Sequence, residues 1–201
     1  MKRILLLWIV LVVGAHAATN IWMSTGKSHG IDPRLLYAIS KVESNHNPLV
    51  VSVNYKKLNK VQADMLYLML QSRDIQHITY TKVVSIYSKD IIQAKQVISF
   101  LDQNDYPSFD IGLMQVNNVH KEVLKGLKIS LHDLLNEQIN LNVASGILWN
   151  CYKKHRSNKE AINAYNGRIV GNDYYTKVSE VLHKLLLPHE NSSKNLFYRI
   201  L

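Results

Sequence analysis

Apolar side chains recur every three or four positions through most of this 201-residue chain, and the places where that rhythm breaks are as informative as the rhythm. Asp32 followed by Pro33 has the form of an N-cap and a first helical position, and Asn47-Pro48 that of a stop, which predicts a helix of about four turns between them. At ~100° per residue, Ile31, Leu35, Leu36, Ala38, Ile39 and Val42 share one side of it. Helical spacing returns over 58–71 (Leu58, Val61, Met65, Leu68, Met69), over 88–101 with Ser88 as cap, in a short helix at 130–135, and in a long helix over 137–155. That long helix carries Ile139, Val143, Ile147 and Cys151 on one face, widened by Leu141, Leu148 and Tyr152, with Gly146 allowing close helix packing. Ser157 to Glu160 forms a capping box for a helix that stops at Gly167. Asp173 caps the last helix, whose buried side is predicted as Tyr175, Val178, Leu182, Leu185 and Leu186, with Pro188 ending it. Between the first two helices the period changes. Residues 50–55 are β-branched and predict a short strand, and 77–87, rich in β-branched and aromatic residues, predict a strand or hairpin arm. Residues 50–105 are thus a small α+β excursion, either a lip over a groove or a packed insertion without a ligand.

One residue spoils the apolar stripe of the first helix. Glu43 projects between Leu36 and Ile39 where a hydrophobe belongs, and it sits in the last turn, where the helix dipole disfavours negative charge. Both effects raise a carboxyl pKa and suit the group to hold a proton near neutrality and donate it. The plainer alternative is a glutamate at a frayed helix end reaching into water.

Composition adds limits to this picture. A hydrophobic content of 47% and a formal charge of +9 describe one domain with a real core rather than a disordered chain. Met1-Lys-Arg, the apolar run from Ile4 to Gly14 and Ala15-His16-Ala17 have the form of a secretory signal peptide cleaved after Ala17, with a rather short membrane anchor as the alternative. Removal of Lys2 and Arg3 with it would take the charge from +9 to +7. The lone Cys151 excludes an internal disulfide and, in an apolar context, is expected to pack as a small hydrophobe rather than act as a nucleophile. The nine histidines show no metal-ligand spacing, so no metal site is expected. Dispersed lysines without a nucleic-acid motif point to cell-wall polymer, its peptide carboxylates and membrane surface as the anionic partners, with nucleic acid a distant third.

Two further stretches carry polar chemistry. In Phe109-Asp-Ile-Gly-Leu-Met-Gln-Val-Asn117, Gly112 permits a tight backbone approach, Leu113 and Met114 are apolar, and Gln115 and Asn117 offer amides to a neutral ligand such as a sugar. Asp110 is the only carboxylate beside this stretch and is expected to be a turn or cap residue, with an auxiliary charge as the alternative. The second stretch is Ala164-Tyr-Asn-Gly167. Glu43-Ser44 with Asn47-Pro48, then Gly112-Leu-Met-Gln115, then Ala164-Tyr-Asn-Gly167 resemble, in this order, the three motifs of the soluble lytic transglycosylase domain. The resemblance spans about residues 28–187. It implies a mainly α, goose-lysozyme-like helical domain at 18–187, with the α+β insertion at about 50–105 and a loose tail at 188–201.

The resemblance also implies an activity: cleavage of the β-1,4 bond between N-acetylmuramic acid and N-acetylglucosamine in peptidoglycan, forming 1,6-anhydromuramic acid, without a cofactor. Glu43 matches the catalytic acid and base, and Tyr165 would set its hydroxyl against it. Ser44 would orient near the acetamido group, Gln115 and the backbone of Gly112, Leu113 and Met114 would line the glycan groove, and Asn117 would lie beside it. Asn166 would support its turn. Goose-type lysozymes, which use water, carry an Asp where this chain has Asn117, and its neutrality argues against a hydrolytic partner there. The form Asp-Ile-Gly-Leu-Met-Gln-Val-Asn, with Asn140 and Gly146 after it, looks most like the small members that serve secretion or conjugation machines, which implies an exported protein of the periplasm or cell envelope. A hydrolytic muramidase of the same fold and a non-catalytic wall-binding scaffold are the rivals.

Overall fold

The computed structural model describes residues 20–167 and 173–185; the signal-like segment 1–17, Leu186, Pro188 and the tail 188–201 lie outside the described residues. The molecule is mainly helical with one small antiparallel sheet. Helix α1 (Ile21–His29) leads into α2 (Pro33–Ser44), whose start is as the sequence predicts: the Asp32 carboxylate accepts from the Arg34 N–H at 2.8 Å and Pro33 occupies the first turn. Its end comes earlier than predicted. Asn45 adopts the left-handed conformation (φ 54°) and its N–H closes on the Lys41 and Ser40 carbonyls, so an Asn cap stops the helix before Pro48 can. Ile31, Leu35, Leu36, Ala38 and Ile39 are fully buried, as expected of the stripe. At about 1.5–3 kcal/mol for each large side chain, this face outweighs any single polar contact α2 makes.

Chain 50–105 builds strands β1 (Val50–Asn54), β2 (Gln76–Thr79) and β3 (Val83–Tyr87) and helices α3 (Lys60–Ser72) and α4 (Ile91–Gln103). Strands β4 (Phe109–Ile111) and β5 (Val116–Asn117) complete a sheet of order β2-β3-β1-β4-β5, with every pairing antiparallel. The first strand of the excursion is therefore the middle strand, bonded on one side to the excursion's own hairpin and on the other to the Gly112 stretch. Val51, Val53, Val84, Ile86, Phe109, Ile111 and Val116 are buried on one face and join the same hydrophobic cluster as α2, α3 and α4. The registers Asn117↔Asp110, Asp110↔Ser52 and Ser52↔Ser85 put a polar row on the opposite face.

Some predicted faces shift by a residue or more. In α3, Leu66, Met69 and Leu70 are buried, while Val61 and Leu68 are exposed. Asp90, not Ser88, caps α4, its carboxylate accepting from the Gln93 N–H at 2.8 Å. After α5 (Lys121–Gly126) and a 3-10 turn at Leu131–Leu135, helix α6 (Glu137–His155) has the predicted span but buries Asn140, Leu141, Ala144, Ser145 and Leu148. The predicted stripe of Ile139, Val143, Ile147 and Cys151 is half-buried along its edge. Gly146 faces open space: a Cβ there would meet nothing within 4 Å, so it does not serve close packing. Helix α7 (Asn158–Tyr165) packs on α6, and α8 (Tyr174–Leu185) packs on α2 and buries Tyr174, Val178 and Leu182, with Leu185 exposed. No helix among the described residues is long and apolar enough to cross a membrane.

Candidate active site

A groove with a cavity of about 820 Å³ opens where the end of α2 meets the β2–β3 hairpin and α8. Glu43 and Asn47 from the α2 end, Tyr80 and Ser85 from the hairpin, and Lys177 from α8 are among its walls. Glu43 keeps part of its surface toward the groove, but its carboxyl is enclosed by protein. Burial is the main reason that its pKa rises from an ordinary 4.5 to about 8. The Tyr174 hydroxyl donates to Glu43 Oε1 at 2.5 Å, which favours the charged form, and the nearby Asp110 carboxyl opposes that.

The tyrosine at the acid is thus not the one the motif resemblance implies. Tyr165 donates its hydroxyl to the Met114 carbonyl at 2.7 Å, close enough to Glu43 to feel its charge but bonded elsewhere. Tyr174 was legible as the first of three residues at spacing four, Tyr174, Val178 and Leu182, which compete with the register through Tyr175.

The Gly112 stretch differs from expectation in a consistent way: its polar atoms hold the site together rather than line it. Ser44 donates to the Leu113 carbonyl at 2.7 Å, joining α2 to the β4–β5 turn at the edge of the groove. Asn140, fully buried, accepts from the Met114 N–H and donates to the Ile111 and Leu134 carbonyls, each at 2.8 Å. Gln115 (φ 49°) donates its amide to the Val50 and Gly112 carbonyls at 3.1 and 2.8 Å. Leu113 and Met114 are core residues, 2% and 0% exposed. Gly112 has φ 78°, and a Cβ would come within 2.4 Å of the Leu134 carbonyl oxygen, so both its conformation and its space demand glycine. Asn166 is the C-cap residue of α7.

Asn117 donates to Asp110 Oδ1 at 2.7 Å and to Ser108 Oγ at 3.2 Å. Asp110 is therefore neither a turn nor a cap residue. It lies on β4 in the polar row of the sheet, and burial raises its carboxyl to about 6, against the lowering effects of Asn117 and Lys57. Two desolvated carboxyls of different acidity thus interact at one site, an arrangement suited to one acting as acid while the other is ionised. A second cavity, about 460 Å³ between α4 and α5, lies away from all these residues, and its Lys121 is paired with Asp102 at 2.6 Å. Among the described residues no group of three His, Cys, Asp or Glu side chains is placed to hold a metal.

Residues 20–173 match the family model of the Transglycosylase SLT domain. The chain belongs to this family. The SLT match accounts for the helical, lysozyme-like frame and carries with it lytic transglycosylase activity on peptidoglycan. No curated protein matches the chain significantly. Within the SLT frame, Glu43 stands at the end of α2 with its carboxyl bonded to Tyr174, while the Gly112–Gln115 turn acts as the joint between the helices and the sheet.

Proposed function

We propose that this chain is an exported lytic transglycosylase that cleaves the β-1,4 bond between N-acetylmuramic acid and N-acetylglucosamine with formation of a 1,6-anhydromuramyl end. The observation that carries the mechanism is the Glu43 carboxyl, raised to about 8 in the wall of an 820 Å³ groove and hydrogen-bonded to Tyr174. Protonated Glu43 gives its proton to the glycosidic oxygen as the bond to C1 breaks, and the carboxylate left behind is stabilised by the Tyr174 hydroxyl. The same carboxylate takes the proton of the muramyl C6 hydroxyl as its oxygen bonds to C1. The acid is regenerated and no water is consumed. The substrate's acetamido oxygen stabilises the cation at C1 between the two steps, one of the substrate-assisted exceptions to the two-carboxylate rule.

Purified sacculi digested with the protein and analysed by mass spectrometry should yield anhydromuramyl ends. Reducing muramyl ends in their place would establish the hydrolytic reading, which Asp110 specifically favours: a second carboxylate beside Glu43 is the group that could orient a water. The neutrality of Asn117 thus does not leave the site without a second acid. Binding to sacculi without cleavage would leave the scaffold reading.

Export is supported by the basic, apolar and Ala-x-Ala pattern of residues 1–17, and a place in the periplasm or cell envelope follows from it. Fractionation of cells expressing the chain, with and without those residues, tests it. Service to a secretion or conjugation apparatus is supported by the Asp-Ile-Gly-Leu-Met-Gln-Val-Asn form of the second motif. Deleting the gene should then lower the assembly of such an apparatus, and Glu43→Gln should fail to restore it.

A further inference from the structure

Three lysines border the groove that holds Glu43, each supplied by a different element: Lys41 from the last turn of α2, Lys82 from the β2–β3 turn and Lys177 from α8. All three are exposed, and none ends within 4 Å of a carboxylate among the described residues. Lys177 is one of two lysines whose field helps lower the pKa of the solvent-facing Asp173. Their placement has structural causes. The Tyr55 N–H donates to the Lys82 carbonyl at 2.9 Å and the Tyr80 N–H to the Val83 carbonyl at 2.7 Å, which fixes the hairpin turn against the groove. Lys177 follows Tyr174 by three positions, so the helix that brings a hydroxyl to Glu43 also brings an ammonium to the neighbouring wall.

The rest of the lining is uncharged when Glu43 carries its proton: Asn45, Asn47, Ser85, Tyr80 and Tyr87 are neutral. A neutral floor suits the hydroxyls and acetamides of a sugar strand. Three ammonium groups on one rim, none paired with a carboxylate among the described residues, suit something else, an anion carried beside the strand. In peptidoglycan the anions beside the glycan are the carboxylates of the peptide stems.

We infer that Lys41, Lys82 and Lys177 form a carboxylate-binding rim, so that the protein selects glycan whose peptide stems carry free carboxylates. The inference rests on the peptidoglycan reading above. It also gives the hairpin of the α+β excursion a task in substrate recognition.

The test compares muropeptide release from native sacculi with release from sacculi whose stem carboxylates have been capped as amides by carbodiimide coupling. The glycan and the peptide backbone are the same in both, and only the stem carboxylates differ. The wild-type protein is expected to release product from native sacculi about fivefold to tenfold faster at low salt, since each exposed lysine contributes about a twofold effect. That preference should fade toward about 1 M NaCl, where the screening length is about 3 Å. In the triple variant Lys41→Gln, Lys82→Gln, Lys177→Gln the ratio should fall to within about twofold of unity, and Lys82→Glu alone should lower it below the wild-type value. A wild type that does not distinguish the substrates, or a triple variant that keeps the wild-type ratio, overturns the inference while leaving the glycan chemistry intact. If the wild type cleaves neither substrate, the peptidoglycan reading falls and this inference falls with it.

Discussion

The site has a helical wall and a sheet wall, and each holds one buried carboxyl: Glu43 lines the groove, and Asp110 sits within the sheet, outside that lining. On the helical wall Glu43 meets a tyrosine hydroxyl from α8 and is raised to about 8; on the sheet wall Asp110 meets the Asn117 amide, lies within reach of Lys57, and is raised only to about 6. Burial is the largest cause in both; Asp110 adds to the rise at Glu43 against the Tyr174 bond, while Asn117 and Lys57 both hold Asp110 down. Near neutral pH the helical wall holds a proton and the sheet wall has lost one. Removing the proton donor should therefore do more than any change to the sheet.

Glu43→Gln should lower the rate of muropeptide release by on the order of a hundredfold or more, because it removes both proton transfers. Its effect on stability should have the opposite sign. Between an ordinary 4.5 and about 8 the folded protein holds a Glu43 proton that the unfolded chain has released. Wild-type stability should thus be undiminished below about pH 4.5 and fall as pH rises to about 8, by at most about 1.4 kcal/mol per pH unit. The variant lacks this loss, so thermal melts should show it more stable than wild type at pH 8 and equal at pH 4.5. Equal melts at both values would mean that the carboxyl is not desolvated.

Next in size is the seam that holds the walls in register. Asn140→Ala removes the side-chain partner of three buried backbone groups, the Met114 N–H and the Ile111 and Leu134 carbonyls. The expected loss is about 3 kcal/mol or more, a fall in Tm on the order of 10 °C. A melt within a degree or two of wild type would show that the seam does not depend on this side chain.

The two walls were unequally legible in the sequence, for physical reasons. On the helical wall the 3.6-residue period fixes where each side chain points, so an acid among Leu36, Ile39 and Val42 stands out before any fold is known. Tyr174 escaped because its partner is 131 positions away and its own helix reads nearly as well with Tyr175 inward. On the sheet wall, strands of two to five residues give too few positions for alternation to speak. The burial of Asp110 arises from pairing with Ser52 and Asn117, which lie in separate stretches of the chain. The Gly112 stretch was legible as important but not as a joint, since sequence does not reveal whether a Ser, Asn or Gln amide faces a ligand or a backbone carbonyl.

Asp110→Asn tests the sheet wall directly. Removing its charge removes one of the causes that raise Glu43, so the alkaline limb of the pH–rate profile should move to lower pH, with a rate loss of about tenfold at neutrality. If the variant also changes the proportion of reducing to anhydromuramyl ends, Asp110 handles water; an unchanged proportion assigns it to electrostatics alone.

The smallest effect expected separates the two tyrosines. Tyr174→Phe deletes the hydrogen bond that favours ionised Glu43, so the alkaline limb should move to higher pH, opposite to Asp110→Asn, with a rate change of a few-fold. Tyr165→Phe deletes a bond to the Met114 carbonyl, so it should leave the limb in place and cost about 1 kcal/mol of stability. Profiles in which Tyr165→Phe moves the limb and Tyr174→Phe does not would return the acid's hydroxyl to the position that the motif resemblance implies. The helical wall would then draw its tyrosine from α7, and α8 would serve the groove only through Lys177.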